Sequence, residues 1–199
     1  MAGAAPGPIA DGAHDDPRRP SLTAAPVLVV MGVSGTGKST IAGLLASRLG
    51  WELQEGDDLH PPVNVAKMSR GTPLTDEDRW PWLDLVAGWI DAQIADGAPG
   101  IVTCSALKRA HRDRLRRQEV TFVHLYGSRE VIAARLAARR DHFMPSMLLD
   151  SQLRTLEVPG AEEQVITVDV AGTPDEQVTE VLDQLGRAEE AHDLRRPGE

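Results

Sequence analysis

Cysteine is almost absent from this chain: Cys104 stands alone among 199 residues. A single thiol can close no intrachain disulfide and build no cysteine-based zinc site, so a reducing, cytoplasmic setting is expected. Long apolar runs are missing as well. No stretch approaches the roughly 20 residues of a membrane-spanning helix, and the opening residues, rich in Ala, Gly, Pro and Asp, lack a signal-peptide apolar core. A soluble protein with no membrane partner is expected. Positive charge is in deficit, with 21 Lys and Arg against 30 Asp and Glu and a formal charge of −9. That balance speaks against a general nucleic-acid binder, and any anionic substrate must be met by a local basic cluster. Lysine is scarcest of all: Lys38, Lys67 and Lys108 are the whole inventory.

What is present begins at residues 32–39, Gly-Val-Ser-Gly-Thr-Gly-Lys-Ser. This Gly-x-x-x-x-Gly-Lys-Ser loop is entered from the apolar run Val27-Leu28-Val29-Val30-Met31 and left through a helical pattern starting near Thr40. In that strand-to-helix setting Gly32, Val33, Ser34, Gly35, Thr36, Gly37, Lys38, Ser39 and Thr40 are candidates to bind ATP. Glycines let backbone N–H groups close around phosphate oxygens, Lys38 reaches the β- and γ-phosphates, and the Ser39 hydroxyl is a Mg²⁺ ligand candidate. The helix adds its N-terminal partial positive charge.

Around this loop the chain divides into three parts. Residues 1–25 carry repeated Ala, Gly and Pro with no hydrophobic period, which predicts a disordered arm; residues 187–199 form a polar tail expected to be frayed or disordered; residues 26–186 remain as one α/β domain. Apolar runs predict strands at 27–31, 52–55, 100–104, 121–126 and 164–169, alternating with helices at 38–49, 76–96, 108–117, 128–139, 146–156 and 174–185. Such alternation predicts a five-stranded parallel sheet with helices on both faces. Gly50 and Gly97 sit where C-terminal caps belong, and Ser128 and Thr173 where N-caps belong. Ligands of such sheets gather beyond the carboxyl ends of the strands, which directs attention to the residues after each strand.

After the second strand comes Glu55-Gly56-Asp57-Asp58-Leu59-His60-Pro61-Pro62, whose two prolines predict an extended or turning chain. Then follow Asn64-x-x-Lys67-Met68, Gly71-x-Pro73-Leu74-x-Asp76-x-Asp78-Arg79-x-Pro81-Trp82-Leu83, Cys104-Ser105-Ala106-Leu107-Lys108, and Arg139-x-x-His142-Phe143. Taken in order, these segments resemble the gluconokinases, a family similar in fold to shikimate and nucleoside monophosphate kinases. The resemblance implies a P-loop kinase fold with a mobile substrate-binding region and a lid, here at about residues 139–150. It also implies transfer of the ATP γ-phosphoryl group to the 6-hydroxyl of D-gluconate, and a homodimer.

The residues themselves can support that chemistry. Phosphoryl transfer needs positioning, charge neutralisation and an oriented hydroxyl, so Lys38, Asp57 and Arg139 are the catalytic candidates, with Asp57 accepting the hydroxyl proton. Glu55, on the same side of a strand end, is a candidate to hold Mg²⁺ with Ser39. Asp57, His60, Asn64, Lys67, Arg79 and Lys108 are candidates to bind the sugar acid, although His60 and Asn64 can equally satisfy turn backbone and Lys108 can equally be a solvated charge. Arg135 and Arg139, one helical turn apart, can reach over ATP from a lid or form an exposed basic face. For Arg112 and Arg116 the exposed face is the favoured reading. Trp80, Trp82 and Trp89 sit among Leu83, Val86 and Ile90 at helical spacing, which predicts packing rather than sugar stacking. The third strand ends Ile101-Val102-Thr103-Cys104 without the Asp that commonly anchors Mg²⁺ in P-loop proteins. The competing functions are another small-metabolite kinase, a guanine-nucleotide switch, whose Asn-Lys-x-Asp sequence is absent, and a non-catalytic nucleotide-binding partner.

Overall fold

The computed structural model of the chain describes residues 26–138, 146–163 and 165–193. Five apolar runs form strands: β1 (Val27–Met31), β2 (Glu52–Gln54), β3 (Gly100–Cys104), β4 (Val120–Tyr126) and β5 (Val165–Asp169). All pair in parallel, in the order β2-β3-β1-β4-β5. The chain moves from β1 to one edge and then to the other, so β1 lies at the switch point where such sheets bind ligands. Val27 pairs with both Gly100 and Val120, and Met31 with both Cys104 and His124, which aligns the ends of the three central strands.

The helices are α1 (Lys38–Leu49), α2 (Pro62–Ser69), α3 (Asp76–Ala95), α4 (Arg109–Leu115), α5 (Arg129–Ala138), α6 (Ser146–Thr155) and α7 (Pro174–Asp193). Strand alternation divides the core between them. Leu28 and Val30 join Ile41, Leu45, Ile132, Leu149, Val178 and Val181 under α1, α5, α6 and α7. Val27, Val29 and Met31 face the opposite way and join Trp82, Val86, Ile90 and Leu115 under α3 and α4. Every residue of β1 and β3 is buried, as a sheet covered on both faces requires.

The anticipated caps are present. Gly50 closes α1 at a φ of 70°, Ser128 Oγ accepts the Val131 N–H at 3.3 Å, and Thr173 Oγ1 accepts that of Glu176 at 3.3 Å. Two expectations are corrected. His60 and Pro61 are extended, as the two prolines predict, but Pro62 then opens the unexpected helix α2, because a proline at the first helical position gives up an N–H that would have no intrahelical partner. The last helix continues past Leu185 to Asp193, through part of the stretch expected to fray. Of the expected lid, residues 139–145, Arg139 included, lie outside the described residues, and residues 146–150 begin α6.

Candidate active site

The loop between β1 and α1 is held from within. Thr36 is fully buried and its Oγ1 donates to the Val33 carbonyl at 2.9 Å. Gly35 has a φ of 88°, and a Cβ there would lie 2.6 Å from Leu136 of α5, so both conformation and space demand glycine. Lys38 arches back over the loop, its Nζ donating to the carbonyls of Gly32 at 3.1 Å and Val33 at 3.3 Å. The first turn of α1 holds no acidic residue, so its partial positive charge faces an anion without competition from within the turn.

Beside this loop the end of β2 meets the end of β3. Glu55 Oε2 accepts hydrogen bonds from Ser39 Oγ at 3.1 Å and Thr103 Oγ1 at 2.6 Å. Thr103 Oγ1 in turn accepts the Gly56 N–H at 3.1 Å. The approach is so close that a Cβ on Gly56 would fall 2.0 Å from the Thr103 carbonyl oxygen. Thr103 therefore occupies the strand end where an Asp is usual, and orients a carboxylate supplied by the neighbouring strand. A hydroxyl and a carboxylate already in contact form a hard, all-oxygen donor set that fits Mg²⁺. No group of three or more His, Cys, Asp or Glu suited to a metal occurs among the described residues, so the remaining ligands would be phosphate oxygens and water.

A cavity of about 800 Å³ opens next to Lys38. Asp57 and His60, Val65 and Met68 of α2, the 71–76 turn, Arg79 and Lys108, and Ser151, Gln152 and Thr155 of α6 all line it. Asp57 lies in a single 3₁₀ turn (Gly56–Leu59) with its carboxylate largely in solvent. His60 is buried and stacks on Trp82, ring centroids 4.2 Å apart and nearly parallel, while Trp82 Nε1 donates to the Gly56 carbonyl at 2.7 Å. Burial lowers the His60 pKa against the opposing pull of Asp57, so the ring is neutral at pH 7. Burial also lowers the Arg79 pKa, opposed by Asp76, Asp57 and Asp78, and the guanidinium stays charged. Its Nη1 donates to Ser105 Oγ at 3.4 Å. Lys108 pairs with Asp76 at 2.5 Å. Burial pushes the nearby Cys104 thiol up to about 12, which removes it as a nucleophile.

A smaller recess of about 200 Å³ flanks the loop on its other side, between Gly35–Thr40, Arg135, Pro174 and Gln177. Arg135 donates to the carbonyls of Val170 and Gly172, and Gln177 Nε2 donates to Gly172 at 2.7 Å.

Residues 27–159 match the AAA domain family. The chain is 54% identical over 168 residues to the gluconokinase of Gluconobacter oxydans, covering 83% of this chain and 92% of that one. This chain belongs to the gluconokinase family. A gluconokinase crystal structure from Sinorhizobium meliloti superposes with a TM-score of 0.79 at 46% identity, over 87% of this chain and 98% of that chain. Shikimate kinase from Aquifex aeolicus, with a TM-score of 0.54 at 16% identity over 85% and 99% of the two chains, shares the fold.

Within the gluconokinase frame, the residues singled out by sequence fall into four groups. Lys38, Asp57, His60, Arg79 and Lys108 line one cavity, and Ser39 and Glu55 meet at the adjoining strand end. Asn64 and Lys67 are not among the cavity-lining residues. Asn64 is buried and donates to the Asp78 carbonyl at 2.7 Å, and Lys67 pairs with the Asp78 carboxylate at 2.6 Å. Both fasten α2 to the start of α3, where Thr75 and Asp78 cap each other reciprocally. Arg135 lines the smaller recess and Arg139 lies outside the described residues. Thr103 and Gln152 were not singled out by sequence, and Asp76 stood there only within the motif that carries the resemblance. The one signal of Thr103 and Gln152 was position at a strand end and one turn before a helix end, which many silent residues share. Arg112, read as an exposed charge, is instead buried against Glu163, with Nε to Oε2 at 2.6 Å and Nη2 to Oε1 at 2.9 Å.

Proposed function

We propose that this chain transfers the γ-phosphoryl group of ATP to the 6-hydroxyl of D-gluconate, giving 6-phospho-D-gluconate and ADP. The supporting observation is that one cavity is lined by the phosphate-loop lysine, the solvent-facing Asp57 carboxylate and two further cations, Arg79 and Lys108. A sugar acid needs that combination: cations to anchor its carboxylate and a base beside the phosphate loop for the hydroxyl it presents. In this reading Arg79 and Lys108 grip the carboxylate end, and neutral His60 hydrogen-bonds a hydroxyl. Asp57 orients the attacking hydroxyl and takes its proton as oxygen bonds to the γ-phosphorus and the bond to the β–γ bridging oxygen breaks. Lys38 and the loop amides neutralise the charge that spreads over the transferred oxygens. Ser39 and Glu55 would hold Mg²⁺, which supplies charge neutralisation across the phosphates. Arg135 and the 170–174 turn form the adenine side, and Arg139 supplies further charge from the lid.

The test is a panel of D-gluconate, shikimate and nucleoside monophosphates with ATP and Mg²⁺. Turnover on D-gluconate is expected; turnover on another member with none on gluconate overturns the assignment. We extend to this chain the cytoplasmic setting expected from its single cysteine and the homodimer that the resemblance implies. A solution mass of two 21.5 kDa chains is expected, and a monomer mass removes the dimer.

A further inference from the structure

Gln152, one of the three residues of α6 that line the cavity, makes a two-point contact with the phosphate loop across 118 residues of sequence. Its Oε1 accepts the Ser34 backbone N–H at 2.7 Å, and its Nε2 donates to Ser34 Oγ at 3.2 Å. A carboxamide is the neutral side chain that offers an acceptor and a donor on one rigid plane, matching the N–H and hydroxyl of a serine. A carboxylate would accept the same N–H but would bring negative charge toward the phosphates.

The helix that carries Gln152 is itself anchored. Leu149 is buried in the core, and Leu153 packs against the same cluster. Beyond its end, the Glu157 N–H donates to the Leu107 carbonyl at 2.9 Å, the Glu157 carboxylate accepts the Arg109 N–H at 2.6 Å, and Arg112 donates to the Glu157 carbonyl at 2.9 Å. This ties α6 to the segment bearing Lys108, one of the cations that line the cavity. Gln152 therefore closes a circuit running from the phosphate loop through α6 to the acceptor side of the cavity.

We infer that Gln152 is a positioning residue: by locking Ser34 to α6 it holds the phosphoryl donor and the acceptor-binding wall in one rigid frame. The inference rests on the proposed transfer to a sugar acid for the identity of the acceptor, and on the Ser34–Gln152 contact for the rest. In-line transfer is sensitive to such a frame, since a misplacement of ~1 Å can cost about 10²-fold in rate.

Two measurements on the wild type and Gln152→Ala test it. In amide hydrogen exchange, Mg²⁺-ATP is expected to protect the phosphate loop in both proteins but residues 149–155 of α6 only in the wild type. In steady-state assays with gluconate, the variant is expected to lose ~10- to 100-fold in kcat, with ATP affinity changed less than about threefold. Its ADP yield per phosphogluconate should also rise above one, because a loosened donor loses phosphoryl groups to water. Ser34→Ala combined with Gln152→Ala should cost less than the sum of the two single changes. Equal α6 protection in the two proteins, or a variant kcat within about twofold at unit coupling, overturns the inference. A wild type inert on gluconate overturns the proposed substrate alone, and the exchange experiment still decides the role of Gln152.

Discussion

Glu55 and Asp57 stand two residues apart and meet different surroundings. Glu55 is engaged by two hydroxyls, Ser39 and Thr103, whereas Asp57 lines the cavity with its carboxylate largely in solvent, His60 Nε2 at 4.0 Å and the Arg79 charge nearby. That difference separates a carboxylate held for a cation from one left available for a hydroxyl proton. Asp57→Asn should lower kcat by ~10²-fold or more with ATP affinity retained, measured by steady-state kinetics beside nucleotide titration. Near-normal turnover would remove Asp57 from that role. Thr103→Val keeps the volume and deletes the hydroxyl that orients Glu55. It should lower activity ~10-fold and move the Mg²⁺ dependence to higher concentration, as losses of orienting partners do. An unchanged Mg²⁺ titration would separate Glu55 from the metal. The phosphate loop and the carboxylates were legible in the sequence because their spacing is local. Thr103 was not, since its importance arises from β2 and β3 lying side by side, a pairing that no local pattern encodes.

At the scale of elements, apolar runs and cap residues identified every strand and six of the seven helices among the described residues. The missed one, α2, has an apolar face that is partly in solvent, with Val63, Val65 and Met68 exposed, so its periodicity pointed to no core. Its hold on α3 is polar, through Asn64 and Lys67, two residues proposed for the substrate whose partner in this structure is Asp78. The loop between α6 and β5 has a comparable brace in the buried Arg112–Glu163 pair. Hydrogen bonding from Arg112 holds the Glu163 carboxyl down at about 2, below its ordinary value near 4.5. A depressed carboxyl pKa contributes stability that is complete above pH ~4.5 and is lost as pH falls toward 2, about 3 kcal/mol in all. Glu163→Gln should therefore lower the Tm at pH 7 by roughly 6–12 °C, and the gap from wild type should close as the pH drops from 5 to 3. A gap independent of pH in thermal melts would contradict the ion-pair account.

For the whole molecule, the loop sits at the end of the central strand, and its neighbours come from both halves of the core: α5 and α7 on one side, the start of α3 on the other. A ligand seated there ties down both. Mg²⁺-ATP at about 100 times its Kd should add ~2.7 kcal/mol to stability and raise the Tm by roughly 5–10 °C. The absence of a shift at saturating nucleotide would mean that the loop and the core unfold independently. The fold class and the strand that carries the loop could be read from alternation alone. The placing of side chains within the cavity could not, because it depends on strand order and on ties such as Lys108–Asp76 and Ser34–Gln152 that join distant parts of the chain.

Trp82 lies under His60 and hydrogen-bonds the Gly56 carbonyl, which puts an indole beneath the turn that presents Asp57. The protein thus carries its own optical probe. With Trp51, Trp80 and Trp89 replaced by Phe, the emission of Trp82 should shift when the sugar acid binds and stay constant when nucleotide binds alone, so the acceptor step could be timed by stopped flow without a label.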